Sequence, residues 1–179
     1  MASLALALLA PLAALDYNCT LPPLRVTFAD PVSDVTCGAR TLTECPTSPT
    51  QKQPLVVCPA CDPTAKYTAL MLDPDAPAPN DPASAPIRHW VAGNIDGADL
   101  QSGFSNISAG VDTLQDYTGP NPPPGSKPHR YGVFLFEQPN GHIAFAPITA
   151  DRTKWDYQAF LNQYQLGAKI SSDYFLCSV

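Results

Sequence analysis

Proline restricts this chain more than any other residue. There are 21 in 179 residues, and they gather where apolar runs stop. Each proline holds φ at about −65° and removes a backbone donor, so prolines at run ends stiffen connections and stop regular structure. The runs between them are short. Residues 24–28 (LRVTF) alternate and predict a first strand, followed by a polar, proline-rich segment to Gln53. Residues 54–57 and 67–72 predict the next two strands. Residues 87–95 are apolar on both faces apart from Arg88, His89 and Asn94, which predicts a central strand. Residues 130–138 predict another, and Pro139-Asn140-Gly141 signals a turn into residues 142–146. Residues 105–117 read as a polar loop or a short weak element. No internal repeat is present. The expected fold is mostly β, with long rigid connections.

One helix is expected near the end. Thr153 can cap it with Asp156 three residues on, and Tyr157, Phe160, Leu161 and Tyr164 form one apolar face. Gly167 supplies a stop. This stripe reads as core packing, not as a cofactor site.

Only 15% of residues are charged and 45% are hydrophobic, so the chain is globular, of a length suited to one domain. The formal net charge is −6 with no Lys/Arg stripe, which argues against nucleic acid and anionic membrane surfaces as partners. Residues 4–15 (LALALLAPLAAL) are uncharged, apolar and too short to span a bilayer, and they contain Ala13-Ala14 near their end. The expectation is a signal peptide over residues 1–15, a single domain over 16–179, no transmembrane segment, and secretion.

Six cysteines follow: Cys19, Cys37, Cys45, Cys58, Cys61 and Cys177. An even number behind a signal peptide implies disulfides, and sequence leaves every pairing open. Cys58-Pro59-Ala60-Cys61 runs into Asp62-Pro63 and a strand instead of opening a helix, so it reads as structural and not redox-active. A zinc site would need a second ligand pair, and none stands at useful spacing. Asn18 and Asn106 open glycosylation sequons.

Two of the three histidines sit in dense polar clusters at strand ends. Asp73-Pro74-Asp75-Ala76-Pro77 is followed by Arg88-His89-Trp90, and residues 122–128 (PPPGSKP) lead into His129-Arg130-Tyr131. Alternation puts His129, Tyr131 and Val133 on one face of their strand, with Arg130 and Phe134 on the other. Tyr67, Ala69, Met71 and Asp73 likewise share a face, with Asp73 at the strand's end. Asp73, His89, His129 and Tyr131 would then form a pocket for a phosphate or carboxylate, with backbone N–H groups near Gly119 or Gly125 adding donors. Asp73 can orient a histidine or meet an amine on the ligand, and Arg130 suits an orienting or salt-bridging role. His142 is expected exposed, and Trp90 and Tyr67 in the core. A strand-end histidine or an Asp-Pro pair taken singly is ordinary structure; the convergence carries the reading.

At these residues the chain resembles the phosphatidylethanolamine-binding protein family, which includes the Raf kinase inhibitor protein. Asp73 to Pro77 with His89-Trp90 resembles the family's first signature. Gly119 through Pro122-Pro123 to Gly125, with His129-Arg130-Tyr131, resembles its second. Similarity extends to residues 35–43 and 157–175. The resemblance implies a β-sandwich-like fold, a large antiparallel sheet packed on a smaller one with peripheral helices. It also implies a small anion pocket lined by Asp73, His89, Pro122, Pro123, His129 and Tyr131, supported by Asp75, Pro77 and Arg130, and a cis bond at Ala76–Pro77. The best-known members are cytosolic and lack this signal peptide and cysteine pattern, so cytosolic kinase inhibition does not carry over. The chain stops at Val179 without a longer C-terminal helix, so an open pocket mouth and a tail tethered by Cys177 are expected.

The leading expectation is a secreted, monomeric, non-enzymatic binding protein for phospholipid head groups or other phosphorylated small molecules, without cofactor or metal. The alternative is an inhibitor of a secreted protease. Catalysis is least supported, because no Gly-x-Ser-x-Gly elbow exists and Ser126 lies in a proline-rich loop.

Overall fold

Among the described residues, strands form over five of the apolar runs and in four further places. The computed structural model describes residues 15, 17, 19, 24–29, 34–35, 37–38, 41–47, 49–105 and 110–179. The expected signal segment through residue 14, and the sequon residues Asn18 and Asn106, lie outside the described residues. The strands are β1 (Arg25–Thr27), β2 (Asp34–Val35), β3 (Thr41–Leu42), β4 (Leu55–Val57), β5 (Lys66–Asp73), β6 (Ile87–Asp96), β7 (Asp112–Gln115), β8 (His129–Gln138) and β9 (Lys169–Cys177). Among the described residues two α-helices, α1 (Gly97–Ser102) and α2 (Tyr157–Gln163), lie at the periphery.

A small sheet has the order β2-β1-β4, and a large one the order β3-β9-β8-β5-β6-β7. The large sheet is antiparallel except where β3 pairs parallel with β9, so it is mixed where a wholly antiparallel sheet was expected. Its inner face carries Tyr67, Ala69, Met71, Trp90, Tyr131, Val133 and Leu135, packed with Val26 of β1 and Val56 of β4. The outer face carries Leu70, Leu72, Val91, Phe134 and Phe136, covered by Phe160, Leu161 and Leu166 at α2. Cover on both faces is why β5, β6 and β8 are apolar almost throughout. Each large side chain buried there stabilises the fold by about 1.5–3 kcal/mol. The alternation read from the sequence for β5 and β8 matches these faces, and Trp90 and Tyr67 are core while His142 is exposed.

Several expectations are corrected. Residues 142–146 form no strand. The Ile143 N–H donates to Asn94 Oδ1 and the Ala146 N–H to the Tyr164 hydroxyl, so side chains take the place of a neighbouring strand. The cap of α2 is Asp156, whose carboxylate accepts from the Ala159 N–H. Thr153 cannot serve, because its hydroxyl and N–H are both turned onto Asp151 Oδ1. The helix also stops before Gly167. Gln165 takes the left-handed conformation at φ 51°, and the Leu166 and Gln165 N–H groups return to the carbonyls of Leu161 and Asn162. This is a Schellman closure made without glycine. β9 escaped the hydropathy pattern because Ser171, Ser172 and Asp173 are polar yet buried.

All six cysteines pair: Cys19–Cys37, Cys45–Cys177 and Cys58–Cys61. The last is buried in a turn ahead of β5, consistent with a structural role. Cys45–Cys177 spans 132 residues and ties the tail to the segment after β3. Cross-linking so long a loop restricts the unfolded chain strongly. The Cys45→Ser/Cys177→Ser double variant should lose about 2–5 kcal/mol in chemical denaturation under non-reducing conditions. An unchanged midpoint would show that the tail needs no tether.

Candidate functional site

The candidate site lies at one end of the large sheet, where β5 finishes and β8 begins. Asp73 and His129 stand on the inner face of adjacent strands, and His129 Nδ1 lies 2.9 Å from Asp73 Oδ2. Asp73 Oδ1 accepts from the Asp75 N–H at 2.7 Å, a local turn that Pro74 favours by keeping Asp73 extended. Both carboxylate oxygens are therefore engaged, as a carboxyl only 2% exposed requires. Burial raises the Asp73 carboxyl above its ordinary value, although His129 and the Asp75 N–H pull the other way.

His89 reaches the same face through a bulge. Met71 pairs with Trp90 and Leu72 with Arg88, leaving His89 as the extra residue of β6. Trp90 faces inward, so regular alternation would send His89 outward; the bulge turns it in beside Tyr131 instead. Its ring meets Tyr131 edge-on at 5.1 Å, and Tyr131 stacks on Phe175 at 5.5 Å. His89 Nδ1 lies 2.8 Å from the Thr118 carbonyl, and the Thr118 N–H returns to the His89 carbonyl. Burial lowers His89 below the usual histidine value and raises the Tyr131 hydroxyl well above the usual phenol value.

These side chains line a cleft of about 290 Å³ with Ala76, Pro77, Ser84, Ile87, Thr118, Gly119, Asn121, Pro123 and Thr153. The Ala76–Pro77 bond in its wall is cis, as is Ala85–Pro86. Of the expected lining residues, Asp73, His89, Pro123, His129 and Tyr131 come together there. Pro122 does not; it is buried and outside the lining. Gly125 is an exposed loop residue at φ 80° and also stands apart. Asp75 and Arg130 lie behind the cleft as a pair. Arg130 Nε and Nη2 donate to the two Asp75 oxygens at 2.9 and 2.7 Å, and the Arg130 N–H adds 2.8 Å. Arg130 thus faces away from the cleft and orients the loop after Asp73.

Two arginines have roles that the sequence does not assign. Arg88 is wholly buried and donates to Gln115 Oε1 and the carbonyls of Thr149 and Asp151, with its guanidinium 4.9 Å over Trp155. Arg152 donates back to the carbonyls of Arg88, His89 and Asp116. Together they press residues 149–155 against β6 and place Thr153 at the cleft. An arginine inside an apolar strand is a signal that partners must exist; nothing in the local sequence marks Arg152. Among the described residues, Cys19, Cys37 and Asp173 are close enough to suggest a metal group, but both sulfurs are committed to a disulfide.

A second cleft of about 260 Å³ lies on the outer face, lined by Leu15, Tyr17, Leu72, Pro74, Pro82, Ala85, Pro86 and Tyr157. Its lining is apolar apart from two tyrosines, so it lacks the converging polar groups of a recognition site.

Burial alone would raise the Asp75 carboxyl, but the hydrogen bonds from Arg130 outweigh it and hold the group below the usual carboxylate range. A carboxyl lowered on folding contributes stability above its unfolded value, about 4, and loses it as pH falls through the folded value. Arg130→Ala should therefore move the acid-unfolding midpoint to higher pH, followed by circular dichroism. A midpoint left in place would remove the pair from the acid stability of this protein.

Comparison with known proteins agrees with this fold. A profile of the family described as phosphatidylethanolamine-binding protein matches residues 20–175. The chain is 37% identical over 102 residues to the protein MOTHER of FT and TFL1 homolog 2 of Oryza sativa subsp. japonica, covering 56% of this chain and 53% of that one. It therefore spans about half the length of that curated relative. Among solved structures, a carboxypeptidase Y inhibitor complexed with its cognate proteinase superposes with a TM-score of 0.70 at 23% identity, covering 87% of this chain and 82% of the inhibitor. A phosphatidylethanolamine-binding protein from Plasmodium vivax gives 0.69 at 17% identity, covering 87% and 84%. With its two signature clusters joined in one cleft and the profile matching most of its length, the chain belongs to the phosphatidylethanolamine-binding protein family.

Proposed function

We propose that this protein is a secreted, non-enzymatic binding protein whose sheet-end cleft takes the phosphate of a ligand such as a phosphatidylethanolamine head group. One observation carries the reading. His129 is buried, oriented by Asp73, and keeps Nε2 without a protein partner among the described residues, in a side chain that lines the cleft. A buried polar atom without a partner is costly unless a ligand meets it. His89, Tyr131 and Pro123 complete the recognition surface, while Asp75, Pro77 and Arg130 shape the loop around it.

Secretion is supported by three disulfides that use every cysteine, together with the apolar leader-like residues 1–15. Residues 16–179 would then form one domain, glycosylated at Asn18 and Asn106. No helix among the described residues is long and apolar enough to cross a membrane. Ser126, the serine nearest His129 in sequence, is not among the cleft's lining residues, so it gives no support to a hydrolase reading.

Phosphate titration followed by NMR or calorimetry tests the reading. His129→Ala and His89→Gln should each weaken binding about tenfold or more, the value of a hydrogen bond to a charged ligand. Circular dichroism would check that both variants remain folded. A wild-type protein that binds no phosphate would sink the proposal.

A second reading has its own support in the likeness to the carboxypeptidase Y inhibitor. Inhibition of a secreted protease would show as slowed turnover in a panel of carboxypeptidases and serine proteases. If none is slowed by excess protein, that reading fails while the phosphate reading stands.

A further inference from the structure

The two cleft histidines are committed through the same ring atom. A carbonyl oxygen only accepts, so His89 Nδ1, 2.8 Å from the Thr118 carbonyl, carries the hydrogen. In the neutral ring, Nε2 is then a bare acceptor. His129 Nδ1 contacts Asp73 Oδ2 at 2.9 Å, and Asp73 Oδ1 is occupied by the Asp75 N–H. While this carboxyl–imidazole pair shares one proton, that proton lies in the Nδ1···Oδ2 contact and Nε2 offers a lone pair. The pair shows an N–H at Nε2 only when it holds two protons, wherever the inner one resides.

With one proton in that pair, both imidazoles offer lone pairs and are poor partners for a fully ionised oxyanion. Acceptor would face acceptor, and buried groups would stay unpaired. Either the ligand brings a hydrogen, or the cleft takes one up. Uptake is opposed at His89 by burial, and the neighbouring charges do not reverse this. Asp73 of β5 and the Thr118 carbonyl favour a cationic ring, while Arg152 and His129 of β8 disfavour it. Behind His129, Asp75 and Arg130 neutralise each other. Tyr131 is the remaining titratable group on the cleft wall, and burial keeps its hydroxyl protonated.

We propose that the cleft selects phosphates that carry a proton, such as a phosphate monoester in its hydrogen-phosphate form, over permanently ionised oxyanions. Sulfate and phosphodiesters, the phosphatidylethanolamine head group among them, bind only with uptake of a proton by the protein. This rests on the phosphate-binding reading and narrows its ligand class. A phosphate monoester loses its second proton at about pH 6, so near neutrality its P–OH can supply the donor that the imidazoles lack.

Calorimetric titration of the disulfide-bonded protein with methyl phosphate, dimethyl phosphate and sulfate tests this, at about pH 6 and about pH 8, in buffers of different ionisation heat. At the lower pH, methyl phosphate should bind about tenfold tighter than either of the others. Binding of sulfate should be accompanied by uptake of about one proton, and affinities should fall by roughly tenfold per pH unit above the relevant ionisation. His129→Gln, whose amide offers an N–H, should narrow the gap between methyl phosphate and sulfate. Equal affinity for all three ligands, sulfate affinity unchanged between the two pH values, or an unnarrowed gap in folded His129→Gln would each overturn the inference. If none of the three binds at either pH, the phosphate-binding reading itself falls, an outcome distinct from indiscriminate binding.

Discussion

A carboxylate buried at the end of a sheet has to be satisfied by its neighbours, and Asp73 sets the terms for everything around it. Its two oxygens accept from the His129 ring and the Asp75 N–H. The first bond fixes the imidazole's orientation and hydrogen position. The second closes the turn that carries Asp75 back to Arg130, and the bidentate pair holds the loop against β8. A single buried charge thus explains why one histidine is aimed, why one aspartate needs an arginine, and why the arginine faces away from the cleft. Left unpaired, such a charge would cost several kcal/mol, about 3–5 by comparison with other broken buried pairs.

The cleft is held from the far side by a different set of bonds. Gln51 Nε2 donates to the carbonyls of Cys45 and Pro120, and the Tyr117 hydroxyl donates to the Thr50 carbonyl. The segment that carries Thr118 and Gly119 is therefore fastened to the same turn that the Cys45–Cys177 disulfide ties to the end of β9. β9 pairs with β8 down to His129↔Cys177. The cross-link and the pocket wall belong to one rigid frame, which fits a site that recognises its ligand by preorganised hydrogen bonds.

Much of this was legible in the residues. The alternation of β5 and β8 places Asp73, His129 and Tyr131 on one face, and the inner and outer clusters agree. Period-two patterning is read reliably where each strand is long and one face is distinct. It was weak for β9, whose buried serines and aspartate imitate a polar loop, and for residues 142–146, whose apolar character serves cover of the outer face and not a ladder. The helix stop was misplaced because glycine is the usual left-handed residue, whereas here Gln165 adopts that conformation and the Leu161 and Leu166 side chains pack in one cluster.

The sequence by itself determined the strand faces, the two polar clusters, the presence of paired cysteines and the family, because each depends on local periodicity or on residue types at short spacing. The tertiary structure decided the rest. Which cysteines meet depends on distances between segments as far apart as 132 residues. His89 joins the cleft only through a bulge, a mismatch between two strands that neither strand records alone. The hydrogen on each imidazole is placed by Asp73 and by the Thr118 carbonyl, partners brought across the fold. What the cleft offers a ligand is therefore a property of packing, since a histidine's donor and acceptor are assigned by its neighbours.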